Sequence, residues 1–187
     1  MNQITRLFLP VYKSAFVVLV AFLAQNIQAQ NKVNAELAYR RIFVSSIQSS
    51  NHSDWPQNDT YANSIRFLLG YHINNYLNVN AGMGLDGYYG SYSANTIPIV
   101  VNVKYTIGGL SKGLFLMAEG GPQITFSGAQ APGYMMLGAI GYKLKLSRLL
   151  RLNFMAGYNF QKSTEGNHWF DDDAQRSGMF IGTSISL

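Results

Sequence analysis

Three groups of residues in this 187-residue chain could do chemistry. His52, Ser53 and Asp54, followed by Trp55, supply the types of a base, a nucleophile and an acid. Nucleophilic catalysis needs the first two at hydrogen-bonding distance, with the base held by a third group. Adjacent residues of an extended chain point apart, so the cluster fits a solvated loop better than a triad. Glu165, His168, Asp171, Asp172 and Asp173 could offer oxygen atoms to a hard cation. They lack the spaced ligands and the Gly of a calcium loop, so a charged surface loop is the simpler reading. No metal and no cofactor are expected. The third group is dispersed: Glu36, Arg40, Arg66, Asp86, Lys104, Glu119, Lys143 and Arg151. Its meaning depends on which faces those residues occupy.

The faces can be read from Leu77 to Asp86, LNVNAGMGLD. Leu77, Val79, Ala81, Met83 and Leu85 point one way, and Asn78, Asn80, Gly82, Gly84 and Asp86 the other. A period of two is a strand with one apolar and one polar face. Similar stretches recur at about Ala35 to Phe43, Ser64 to His72, Thr96 to Thr106, Leu114 to Gln123, Tyr134 to Leu144, Arg151 to Gln161 and Gly178 to Leu187. The alternation is blurred only in the Tyr134 stretch. Pro98 has no N–H for a ladder, which places it near a strand start or a bulge. The breaks alternate long and short. Ile73-Asn74-Asn75 and Gly108 to Gly113 read as tight turns; the polar run from Ser45 to Asn63, the Gly-Tyr-Ser run after Asp86, the Thr125 to Gly133 segment and the acidic run after Gln161 read as loops. Tyr88, Tyr89 and Tyr92 fall in the second loop, as a partner surface or as packing at a barrel mouth.

Eight alternating strands with almost no charge on the apolar face predict an all-β fold. The expected architecture is a closed eight-stranded antiparallel up-and-down transmembrane β-barrel. Closure is required because an open sheet edge in hydrocarbon leaves backbone groups unpaired. The charged group would then face inward with Asn78, Asn80, Asn102, Gln123 and Asn153. Eight strands enclose just enough room for side chains to fill. That makes a polar plug, with Gly82, Gly84, Gly121, Gly141 and Gly157 leaving space for long Arg and Lys stems. A proton or ion path through the same residues is the functional alternative. Arg41 is the exception on the apolar face, able to reach headgroup level beside the first loop. Tyr39, Tyr71, Tyr105, Tyr134, Tyr142 and Tyr158 suit interfacial girdles.

The amino terminus reads differently. Arg6 and Lys13 precede the apolar run Ala15 to Ala24, and Ile27-Gln28-Ala29 ends in a small residue. Residues 1–29 therefore read as a signal peptide and 30–187 as the barrel domain. Without Arg6 and Lys13 the formal charge of +5 falls by two, to +3, too mild for nucleic-acid binding. The absence of Cys excludes disulfides, thiolate metal sites and lipid attachment at Cys.

The final residues, Phe180 to Leu187, carry Gly182, Ile185 and a terminal Leu187, which resembles the assembly signal of outer-membrane barrels. That pattern usually ends in Phe, where this chain has Leu187. With the eight strands and the leader, residues 34–187 resemble the small outer-membrane β-barrel family that includes OmpX and the OmpA transmembrane domain. The resemblance implies export through the periplasm of a Gram-negative cell and insertion by the barrel-assembly machinery. It also implies a monomer in contact with outer-membrane lipid and lipopolysaccharide. It implies no single activity, since fold does not dictate function. The expected role is structural or surface-interacting and non-enzymatic. A narrow, porin-like channel for small solutes and a lipid A-modifying enzyme are the alternatives. No His-x-Ser stands on a lipid-facing strand, the arrangement of the barrel deacylases. A soluble calycin-like barrel would turn the same apolar faces inward.

Overall fold

The computed structural model describes residues 32–49, 60–89, 94–108, 112–127, 133–164 and 173–187. Eight strands run in order: β1 (Val33–Ser49), β2 (Tyr61–His72), β3 (Leu77–Tyr89), β4 (Ala94–Thr106), β5 (Gly113–Ser127), β6 (Gly133–Lys145), β7 (Arg151–Thr164) and β8 (Asp173–Ser186). Each pairs antiparallel with the next, and β1 pairs with β8, closing an up-and-down barrel.

The two faces decide what solvent the barrel suits. Leu69, Val101 and Phe154 point outward and are 47%, 54% and 46% exposed. Arg40, Arg66 and Lys104 point inward and are 1%, 1% and 2% exposed. A water-soluble barrel would show the reverse, so the calycin-like alternative is overturned. Strand β6 is regular despite its blurred pattern. Met135 and Leu137 face inward beside Lys143, so its inner face is apolar over part of its length.

Most strands run further than expected at the loop end. Ile124 and Phe126 still point outward and Tyr88 still points inward, so the ladder continues there. The intervals between strands at this end are therefore 50–60, 90–93, 128–132 and 165–172, against 73–76, 107–112 and 146–150 at the other. The strict long–short alternation expected from the breaks does not hold at 90–93 and 128–132. Irregularities adjust the ladder at several points, including a β4–β5 register shift between Asn95 and Thr96. At Val44/Ser46 the β1–β8 register shifts, and the extra residue switches the inward phase so that Ile47 is buried opposite Arg176. Pro98 lies within β4, not at its start, and faces inward; the β3–β4 pairing lapses there, between Ile99 and Thr96.

Side chains close two of the turns. Asn74 Oδ1 accepts from the N–H groups of Tyr76 and Leu77, both at 2.8 Å, and Ser147 Oγ accepts from those of Leu149 and Leu150. In the third, Gly108 and Gly113 hold φ of 89° and 132°, which L side chains rarely adopt.

Outward aromatics collect toward both strand ends. Tyr71, Tyr76, Tyr105 and Tyr142 lie near the turn end, and Tyr61, Tyr89, Tyr134 and Phe160 near the loop end. Tyr76 stacks with Tyr105, and Tyr61 with Tyr89, at 6.3 and 5.1 Å. Tyr39 and Tyr158 stand further inside the belt, paired with Ile65 and Gly138.

Val101→Lys places a cation in the middle of the outward belt. The expected cost is about 2–4 kcal/mol in urea unfolding of the barrel from lipid vesicles. A loss below about 0.5 kcal/mol, normal for a water-exposed site, would contradict the membrane-facing assignment.

Candidate functional site

The alternation of β1, β2, β3 and β5 sends Arg40, Arg66, Asp86 and Glu119 into one lumen. In a ring of eight, β1 and β5 stand opposite each other. Arg40 reaches across to Glu119 with two parallel bonds, Nη1 to Oε1 at 2.7 Å and Nη2 to Oε2 at 2.6 Å. Arg66 donates from Nε to the same carboxylate at 3.2 Å. Its outer nitrogens form a second fork on Asp86, at 2.5 and 2.9 Å. Such bidentate pairs fix orientation as well as charge. Two guanidinium groups and two carboxylates thus form one neutral chain across the barrel.

A line of amides extends from it. Asn102 donates to Glu119 Oε2 at 2.9 Å, Asn80 donates to Asn102 at 3.0 Å, and Asn34 and Asn78 both donate to Asn80 Oδ1. Lys104 on β4 pairs with both oxygens of Glu36 on β1 at 2.5 Å. Lys143 donates to Thr106 Oγ1 at 3.4 Å, and Gln161 to Gln123 at 2.5 Å. The chemistry of this set is attraction and fixation. Each buried carboxylate among the described residues is held by a cation, and amide side chains neither ionise nor act as nucleophiles.

The structure places seven of the eight dispersed ionisable residues deep in the lumen; Arg151 is half-buried near the turn end. The lumen also has a large apolar share, which the expectation of a polar plug does not include. Ile42, Leu68, Tyr88, Val100, Phe115, Met117, Met135, Leu137, Met155 and Phe180 form one buried cluster. Several touch the ions: Arg40 lies over Phe180, Lys104 over Phe115 and Arg176 over Tyr88, at 5.7, 5.5 and 5.0 Å. The sequence carries the signal, since Phe115 and Met117 share the inward phase of Glu119. The plug is therefore part ionic and part apolar.

The glycines need a similar correction. A Cβ at Gly84 would meet the Ile65 carbonyl and also the Arg66 side chain, so this glycine leaves room for a long stem as well as for the neighbouring strand. At Gly82, Gly121 and Gly157 the obstacle is the backbone of the neighbouring strand, and at Gly141 it is the Phe115 ring together with backbone. At those three, absence of a side chain lets strands approach closely.

Tyr88 is buried within the barrel under Arg176, and Tyr89 faces outward on Tyr61, so neither belongs to a free loop. Gly182 packs beside the Arg40 stem, Ile185 points outward, and the Leu187 N–H donates to Ala35 O at 2.9 Å. His52, Ser53, Asp54, Trp55, Tyr92, Glu165, His168, Asp171 and Asp172 lie outside the described residues, and Asp173 begins β8.

A closed eight-stranded sheet with ions sealed inside and aliphatic side chains outside is a transmembrane β-barrel. The chain is similar to OprG from Pseudomonas aeruginosa, with a TM-score of 0.47 at 10% identity over 83% of this chain and 96% of that one. Against the N-terminal β-barrel domain of Pseudomonas aeruginosa OprF the values are 0.41, 15%, 84% and 98%. Against Neisserial surface protein A they are 0.47, 16%, 82% and 94%. At scores below 0.5 the class rests on the barrel's own faces. No protein-family model and no curated protein matches the chain.

Glu119→Ala leaves Arg40 and Arg66 facing each other without their shared anion. It should cost about 3–5 kcal/mol in urea unfolding. Asn153→Ala removes a single neutral bond to Ser184, and should cost about 1 kcal/mol. Equal losses would show that Glu119 does not tie the interior together.

Proposed function

We propose that the protein is an integral outer-membrane barrel with a structural or surface-interaction role and no enzymatic activity. The single observation that carries this reading is the neutral Arg40–Glu119–Arg66–Asp86 chain spanning the lumen between opposite strands. A conducting pore needs a continuous wet path, with ion sites that release their occupants. Here Arg40, Arg66 and Lys104 are held by Glu119, Asp86 and Glu36, and Phe115, Met117, Met135 and Phe180 fill space beside them. That favours a plug over the narrow-channel alternative.

The rest of the proposal follows from the same surface. The apolar belt suits outer-membrane lipid, with lipopolysaccharide around the loop end. Residues 1–29 would direct export, and Gly182, Ile185 and Leu187 would be read by the assembly machinery during insertion. Closure leaves no strand edge to pair with another copy, which supports a monomer.

Two measurements on the mature protein test this. Fractionation should place it in the outer membrane, as a band that shifts on boiling. In planar bilayers it should show no steady single-channel steps. Sustained conductance that disappears on Glu119→Ala or Arg66→Ala would favour the channel. A changed lipid A mass spectrum on expression, lost with His52→Ala or Ser53→Ala, would establish the enzyme.

A further inference from the structure

Arg41 puts a cation on the aliphatic outer face, well inside the β1 ladder. Its Nη1 donates to Asn63 Oδ1 at 3.1 Å, and Tyr39 Oη donates to the same oxygen at 2.9 Å. The guanidinium lies 3.8 Å from the centre of the Tyr61 ring, which itself stacks on Tyr89 in the loop-end girdle. No described carboxylate lies within ion-pair distance of it. A cation on a barrel's outer face costs about 2–4 kcal/mol at mid-bilayer but about 0–1 near the interface. The girdle level is therefore where it is tolerated, and where lipid phosphates lie.

Beside Arg41 the outer surface has a shallow, open depression. A groove of about 640 Å³ runs from β1 across β8 and β7 to β6 and the edge of β5. Register explains it. Arg41, Ile181, Ala156 and Ile140 form one lateral row, and Tyr39, Thr183, Phe154 and Tyr142 the next. Ala156 and Thr183 are the short side chains in these rows, so the floor drops between bulkier neighbours. At about 4.8 Å per strand the groove is about 19 Å wide, several acyl chains rather than one.

We propose that this groove binds one molecule of lipid A, the phosphorylated, multiply acylated anchor of lipopolysaccharide. A phosphate would sit on Arg41, and acyl chains would lie over Ala156 and Thr183. Arg presents a fork of donors that matches phosphate oxygens, and among the described residues only one of them is engaged, on Asn63. The proposal rests on the outer-membrane reading above, with the loop end facing the lipopolysaccharide leaflet. It goes beyond that reading by separating one held molecule from the surrounding lipid.

The test is native mass spectrometry of the detergent-folded protein titrated with lipid A and, separately, with phosphatidylglycerol. The wild type should retain one lipid A at concentrations at least tenfold below those needed for phosphatidylglycerol. Arg41→Ala should lower lipid A retention at least tenfold, and Ala156→Phe, which fills the floor, should do the same. Arg41→Lys should fall between the wild type and Arg41→Ala. Each variant is first checked for the boiling-dependent gel shift. Variants that keep the shift and the wild-type retention would overturn the site, as would equal retention of the two lipids. A wild type with no gel shift would remove the membrane reading, and the site with it.

Discussion

The Glu119 carboxylate is the interaction on which the interior depends. It receives Arg40 from the opposite side of the barrel, Arg66 from β2 and Asn102 from β4. A lone carboxylate there would be severely destabilising, because burial strips its water. Two guanidinium groups change the balance, and Asp86 then neutralises the second of them. The result is a strut between strands that backbone ladders alone do not connect. Ladders join neighbours around the ring; the Arg40–Glu119 pair joins β1 to β5 across it.

Buried ion pairs are poor evidence for net stability, since desolvation offsets much of their attraction. Their role here is better understood as specification. One inward register brings Arg40 to Glu119 and Lys104 to Glu36; a slip of a single residue would turn those charges toward lipid. The apolar cluster around Phe115, Met135 and Phe180 supplies close packing beside the ions and places aromatic faces under Arg40 and Lys104. The ions set register, and the apolar residues fill volume.

The outer surface follows an opposite logic. Uniform aliphatic side chains make most of it interchangeable lipid contact. Arg41 and the depression at Ala156 and Thr183 break that uniformity at adjacent positions on β1, β8 and β7. A membrane protein has little reason to keep a cation on this face unless the cation reaches water, a headgroup or a phosphate.

Much of this molecule was legible before any coordinates. A period of two in Leu77 to Asp86 and its counterparts fixes which side chains share a face, because strand geometry alone imposes that alternation. Eight such stretches with an almost uncharged apolar face determine a closed antiparallel barrel, since hydrocarbon permits no unpaired edge. Which inward residues meet was not legible. Arg40 and Glu119 are 79 positions apart, and their contact depends on shear and closure, which are properties of the whole ring. The same holds for the apolar cluster, for the burial of Tyr88, and for the phase change that turns Ile47 inward. A strand's own pattern says which way a side chain points. Only the closed sheet says what stands across from it.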